Sequence, residues 1–89
     1  MEWICKTFTE LNTNQLYKLL QLRSEVFVVE QQCAYQELDS VDYHCYHLWA
    51  EIENEIIACA RIVPKGIKYN EVSVGRVVTH PKYRRKNLG

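Results

Sequence analysis

Three extended segments follow one another between Tyr46 and Thr79, and they constrain the fold more than any other feature of the chain. In the first, Tyr46, Leu48, Ala50 and Ile52 alternate with His47, Trp49, Glu51 and Glu53, the period-two pattern of a half-buried strand. Asn54-Glu55 makes a tight reversal, Ile56 to Val63 continues as a strand, and Pro64-Lys65-Gly66 ends it. Val72 to Thr79 is the last strand, closed by His80-Pro81. Gly75 within it predicts a β-bulge or a close backbone approach. Such a meander can pair antiparallel throughout.

Upstream, Trp3 to Phe8 reads as a short strand from its length and aromatic content. Asn12 or Thr13 caps a helix, with Gln15 three residues after Asn12 as a capping box requires. Leu16, Leu19, Leu20, Val26 and Phe27 then share one helical face, and the same spacing puts Arg23 on that face while Lys18, Gln21 and Glu25 face solvent. Arg23 either packs its stem and snorkels its head, or serves as an ion-pair or substrate-side anchor. Residues Glu30 to Cys45 show no period and read as a long loop with at most one helical turn. Loops of this length are uncommon in compact domains and often carry function.

The chain thus reads as one α/β (α+β) domain, a mostly antiparallel sheet of about four strands with one long helix after the first. At 89 residues it is too short for two domains. Eleven basic residues balance eleven acidic ones, so no overall basic face invites nucleic acid. No run of about 18 apolar residues is present, so no membrane span is expected. Met1-Glu2-Trp3-Ile4-Cys5-Lys6 lacks the basic segment and apolar run of a secretory signal. A cytoplasmic protein with free thiols is expected, with Cys5 and Cys59 as buried small hydrophobes. Cys33, His44, Cys45 and His47 are metal-ligand types, but their spacing is unlike a zinc finger's paired ligands, and no metal is expected.

Two groups of residues carry chemistry. Lys82-Tyr83-Arg84-Arg85-Lys86-Asn87-Leu88-Gly89 follows a strand directly. Ahead of a helix N-terminus, such a basic loop would hold an anion on its backbone N–H groups; otherwise it is a solvated tail. Arg23, Arg61 and Arg76 form the second group. They either make a cationic wall for a carboxylate-bearing substrate or pair with Glu30, Asp39 and Asp42.

The stretch Val77-Val78-Thr79-His80-Pro81 through Arg84-Arg85-Lys86-Asn87-Leu88-Gly89 resembles the strand-and-loop signature of GNAT acetyltransferases. Asn87 stands where that superfamily usually has its first loop glycine, and Arg85 also replaces a usual glycine. Upstream, the chain resembles the ElaA-like branch. Trp3, Leu16-Tyr17, Leu19-Leu20-Gln21-Leu22-Arg23, Val26-Phe27-Val28-Val29-Glu30-Gln31, Cys33, Tyr35-Gln36, Asp39, Asp42, His47-Leu48, Ala60-Arg61-Ile62 and Gly75-Arg76-Val77 carry that likeness. The Arg-x-x-Val-Phe part of this run also resembles acyl-homoserine-lactone synthases; Glu30-Gln31 and the 84–89 loop favour the acetyltransferase.

The resemblance implies the N-terminal half of a GNAT domain, with a further helix, strands and half of the cofactor cleft belonging after Gly89. It implies transfer of an acetyl group from acetyl-CoA to a small-molecule or peptide amine. Backbone at Val77, Val78 and Thr79 would bond the pantetheine arm, and Arg84, Arg85, Lys86, Asn87, Leu88 and Gly89 would hold the pyrophosphate. Glu30 and His47 are the candidate proton acceptors, with Asp39 and Asp42 as further carboxylates that could instead pin their loop. Arg23, Tyr35, Asp39, Asp42, Arg61 and Arg76 are expected on the substrate side. A bulge near Gly75 would offer a strand N–H to the thioester oxygen. The competing expectation is a non-catalytic fragment or interaction module that dimerises through an open Val72 to Thr79 edge.

Overall fold

A computed structural model describes residues 1–32 and 37–83. Tyr35 and the whole Arg84 to Gly89 loop lie outside the described residues. Four strands, β1 (Glu2–Thr7), β2 (Tyr46–Ile52), β3 (Glu55–Val63) and β4 (Ser73–Thr79), form one sheet in sequence order. Every neighbouring pair is antiparallel, as the meander predicts.

β1 stops one residue earlier than its composition suggests. The Glu10 carboxylate accepts the Thr7 backbone N–H at 2.9 Å and turns the chain into a 3-10 turn at Phe8–Glu10. The Phe8 ring then meets Tyr43 edge-on, centroids 4.8 Å apart. The helix α1 (Thr13–Ser24) begins at Asn12, whose Oδ1 accepts from the Gln15 N–H at 2.7 Å while Gln15 Oε1 accepts from the Asn12 N–H at 3.0 Å. This reciprocal bond closes two of the helix's orphan donors. Beyond Ser24 the helix widens into a π-helical turn, Glu25–Glu30. Such turns are rare and concentrate at functional sites. Lys18 departs from its expected solvent position: its ammonium donates to the Asn54 carbonyl at 2.8 Å and ties α1 to the β2–β3 turn. That turn is Glu53-Asn54, one residue before the expected reversal, with both residues left-handed (φ 50° and 67°) as a two-residue hairpin turn demands.

α1 covers one face of the sheet. Trp49, fully buried, sits opposite Ile4 on β1 and Cys59 on β3, and Cys59 sits opposite Val78 on β4. With Leu19, Leu22, Val26 and Ile56 they make the main core. On the other face Ala50, Ile57 and Ala58 pack with Ile52 and Tyr83. Ile57 is an extra residue in β3, since Ala50 faces Ala58 while Glu51 faces Ile56. The bulge puts Ile57 beside Ala58 on the same face.

The strand alternation that turns the half-buried Ile4 toward the core leaves Cys5 exposed, which corrects the expectation of a buried thiol there. Cys59 is buried as expected, and burial pushes its thiol up to about 12. Cys5, Cys45 and Cys59 are all free thiols, and Cys33 lies outside the described residues. β4 starts one residue after the expected Val72 and is an edge of the sheet, with Val74 and Val77 each more than 60% exposed. No helix of the described residues is long and apolar enough to cross a membrane.

Candidate active site

Burying an arginine on the apolar face of α1 demands compensating carboxylates, and the loop before β2 supplies them. Arg23 is 3% exposed. Its Nη1 donates to Asp42 Oδ1 at 2.8 Å and its Nη2 to Glu37 Oε2 at 2.9 Å. Arg61, equally buried on β3, makes a two-pronged bond to Asp39 (2.9 and 2.8 Å) and a third to Asp42 Oδ1 at 3.2 Å. Arg76 on β4 gives its Nε to Glu37 Oε1 and reaches Asp39 Oδ2 with Nη2 at 3.4 Å. Three guanidinium groups and three carboxylates therefore close into one network joining α1, the loop, β3 and β4. Such networks hold only when nearly all members are satisfied.

The loop's own bonds fix the acids in place. Asp39 Oδ1 accepts the Val41 N–H at 3.1 Å, the turn-pinning role open to it from sequence. Ser40 takes a left-handed backbone, φ 67°, and the 3-10 turn Val41–His44 follows. The Asp42 carbonyl accepts from His47 Nε2 at 3.0 Å, and His47 is 3% exposed. Its ring thus serves as a loop-to-strand tie. Cys45 Sγ donates to the Val41 carbonyl at 3.2 Å, and burial pushes that thiol up.

The charges respond to one another. The hydrogen bonds from Arg61 hold the Asp39 carboxyl well below the usual carboxylate range. Burial pushes Asp42 up, but the bonds and charge of Arg23, then of Arg61, outweigh it and hold that carboxyl low. Arg61 is raised, first by its bond to Asp39, and Arg23 is raised because Asp42 and Glu37 outweigh its burial. The sign of the pH dependence follows. The two depressed carboxyls contribute stability that is complete above the ordinary Asp value of about 3.9 and lost as pH falls through their folded values. The raised arginines contribute stability that is complete below their ordinary values, so it is fully present at every pH used here. Urea midpoints are therefore expected to be level from this network between pH 5 and 8 and to fall steadily below about pH 4. An unchanged midpoint down to pH 2 would contradict the network.

Arg76 is also where β4 leaves its ladder. Cys59 faces Val78 and Arg61 faces Gly75, so Arg76 and Val77 together oppose Ala60 alone. The bulge that Gly75 suggests is present, but the left-handed residue is its neighbour: Arg76 has φ 49°. A side chain built at Gly75 would meet nothing within 4 Å, so neither space nor backbone requires glycine there. A left-handed residue carrying a Cβ costs about 1–2 kcal/mol. The guanidinium that offsets this cost lies over the Phe27 ring, 5.9 Å from its centroid. Phe27 belongs to the π turn, so the π turn and the β4 bulge meet at this contact. Glu30 ends the same turn and is exposed.

Beyond the bulge, Val77 is exposed, Val78 buried and Thr79 half-buried along the edge strand. Beside the end of β4 a groove of about 690 Å³ runs between α1 and the β2–β3 turn, with Leu22 and Ile56 at its floor and Lys18, Glu25, Glu55 and His80 on its walls. Its size is that of an ordinary ligand cleft. Among the described residues no group of three or more His, Cys, Asp or Glu could hold a metal.

The structure thus brings Arg23, Asp39, Asp42, Arg61 and Arg76 together, seats His47 beneath them, and places Val77, Val78 and Thr79 on the adjoining edge. Glu37 is the member that the residue pattern does not single out. The carboxylates bonded to the arginines are Glu37, Asp39 and Asp42, where sequence pairing had put Glu30 with the two aspartates. Counting three inward arginines against the acids of the loop could have found it.

An antiparallel four-stranded sheet with a helix on one face and a bulged fourth strand is the architecture that comparison with known proteins also finds. The model of the acetyltransferase (GNAT) family matches residues 13–89, and the chain belongs to that family. It is 40% identical over 90 residues to a UPF0039 protein of Schizosaccharomyces pombe, covering all of this chain and 59% of that protein. It is 38% identical over 91 residues to protein ElaA of Escherichia coli, covering all of this chain and 60% of ElaA. Among solved structures, an acyl-CoA N-acyltransferase from Pseudomonas aeruginosa superposes with a TM-score of 0.91 at 40% identity, over 96% of this chain and 60% of that one. The crystal structure of Escherichia coli ElaA gives 0.88 at 40% identity, over 93% and 57%. The chain therefore spans about 60% of the length of these relatives.

Proposed function

We propose that the protein transfers an acetyl group from acetyl-CoA to an amine, and that this chain supplies the β4 side of the cleft. The observation that carries the reading is the bulge at Arg76 on an open edge strand, directly before the Arg84 to Gly89 stretch. The fit to acyl-CoA rests on three features: an edge strand at Val77 to Thr79, a bulge that interrupts its ladder at Arg76 and Val77, and a groove at the strand's end. When bound, the thioester supplies an electrophilic carbonyl. The chain's own part is to orient and to move a proton. An amide at the β4 bulge donates to the oxygen that gains charge. The amine must be neutral to attack, and an alkylammonium with pKa near ~10 is mostly protonated at neutral pH. Of the two proton acceptors named from sequence, Glu30 stands at the surface beside the π turn, whereas His47 is buried with Nε2 on a backbone carbonyl.

Calorimetric titration of acetyl-CoA into the 89-residue chain tests the reading. Binding near micromolar, about −8 kcal/mol, is expected, weakened at least ~10-fold when Arg84→Ala and Arg85→Ala remove two of the loop's phosphate-pairing charges. No heat from the folded chain, or equal binding by both proteins, would overturn it.

A further inference from the structure

We propose that Glu37 is a positioning residue for the β4 bulge. Acting through Arg76, it holds the backbone between Gly75 and Val78 in the shape that presents the site. The inference rests on the acyl-CoA reading for what the bulge serves; the geometry itself does not depend on that reading.

A left-handed residue with a side chain persists only where its surroundings over-determine it. Arg76 is the one residue of β4 with a positive φ. Its side chain is held at two levels. Glu37 takes Nε on a carboxylate oxygen and Nη2 on its backbone carbonyl at 3.4 Å, and the Phe27 ring lies below. Asp39 adds a longer contact. Glu37 is itself 7% exposed, and its other oxygen is committed to Arg23 on α1. It therefore cannot follow Arg76 outward, and the pull on the guanidinium keeps the backbone turned. Glu37 also faces no lysine or histidine in these contacts, so it joins α1 to β4 through arginines, which remain charged at all working pH values.

Glycine adopts the left-handed region without penalty, and this separates the tether from the conformation. Solution NMR of isotope-labelled chain is the measurement, with Arg76→Ala, Arg76→Gly, Glu37→Gln and the Glu37→Gln/Arg76→Gly double variant. The readouts are backbone shifts and φ-dependent couplings at position 76 and the two-against-one contacts across Ala60. Parent and Arg76→Gly are expected to keep the bulge. Arg76→Ala and Glu37→Gln are expected to move position 76 out of the left-handed region, and the double variant to keep it there. A role for Glu37 in packing alone would lower stability equally in both backgrounds and leave position 76 unchanged. Native geometry at position 76 in Arg76→Ala would overturn the inference. Should Glu37→Gln fail to fold, Glu37→Asp, which keeps the charge but shortens its reach to Arg76, takes its place, and a left-handed position 76 in that variant would overturn the inference. Acetyl-CoA is expected to bind Arg76→Ala about tenfold more weakly than Arg76→Gly, the worth of one hydrogen bond. Absence of binding by every protein including the parent would remove the acyl-CoA reading, while the spectra would still decide the role of Glu37.

Discussion

Arg23→Ala is expected to cost about 3–5 kcal/mol, because it breaks two buried ion pairs at once and leaves Glu37 with Arg76 alone and Asp42 with Arg61 alone. Glu37 and Asp42 would both lose their bonds to α1 in a region where neither reaches water freely, being 7% exposed each. A domain of this length has a total stability of roughly 4–13 kcal/mol, so the variant is expected to be near unfolding at 37 °C. Urea denaturation at pH 7 should show the midpoint falling by at least ~1 M. Two controls separate charge from packing. Arg23→Met restores volume but not charge and should remain strongly destabilised. Arg23→Lys restores charge without the planar fork and should fall between, since one ammonium cannot serve both acids with the same geometry. The deficit of Arg23→Ala should also narrow below about pH 4, where the Asp42 carboxyl, no longer held low by Arg23, takes up a proton and becomes neutral. A midpoint within error of the parent would show that the network contributes nothing to the fold.

Trp49→Ala is the second large effect, again about 3–5 kcal/mol, but its origin is apolar. Trp49 is fully buried at the centre of the sheet, between Ile4 and Cys59 and beneath Leu19, Leu22 and Val26. Its removal opens a cavity that a four-stranded sheet pinned on both sides cannot close. The indole Nε1 donates to Glu51 at 2.8 Å. Glu51 is only half-buried and can turn to water, so Trp49→Phe should cost far less, on the order of 1–2 kcal/mol. Unlike Arg23→Ala, the deficit of Trp49→Ala should not narrow in acid. Equal losses for the Phe and Ala variants would move the cost from the cavity to the hydrogen bond.

Much of this architecture was legible because local chemistry and global packing agree. The Asn12–Gln15 capping box fixes the helix start by its own bonds. The alternation from Tyr46 to Glu53 marks β2 as a strand but not its inward face, since His47 and Trp49 lie buried while Tyr46 is exposed; Arg23 shows itself as an arginine on an apolar face. What was not legible depends on partners distant in sequence. Cys5 sits in an apolar context, yet its strand parity follows from Ile4 facing Trp49. The π turn has no local signature, because Val26 and Phe27 suit an ordinary helix equally well. Glu37 becomes special only when Arg23 and Arg76, 53 residues apart in the sequence, converge on its two oxygens. The bulge was half legible: Gly75 pointed to the right place, but the left-handed turn falls on Arg76, held by long-range bonds that no short pattern records.

The central claim is that the edge of β4 around this bulge is where an acyl-CoA thioester is received. Adding acetyl-CoA to isotope-labelled chain and following every backbone amide tests it most directly. The account predicts that the largest changes fall on Gly75 to Thr79 and His80, with the amides of β1, on the opposite edge of the sheet, unmoved. Saturating acetyl-CoA that leaves β4 unchanged, or that perturbs the β1 edge instead, would contradict it.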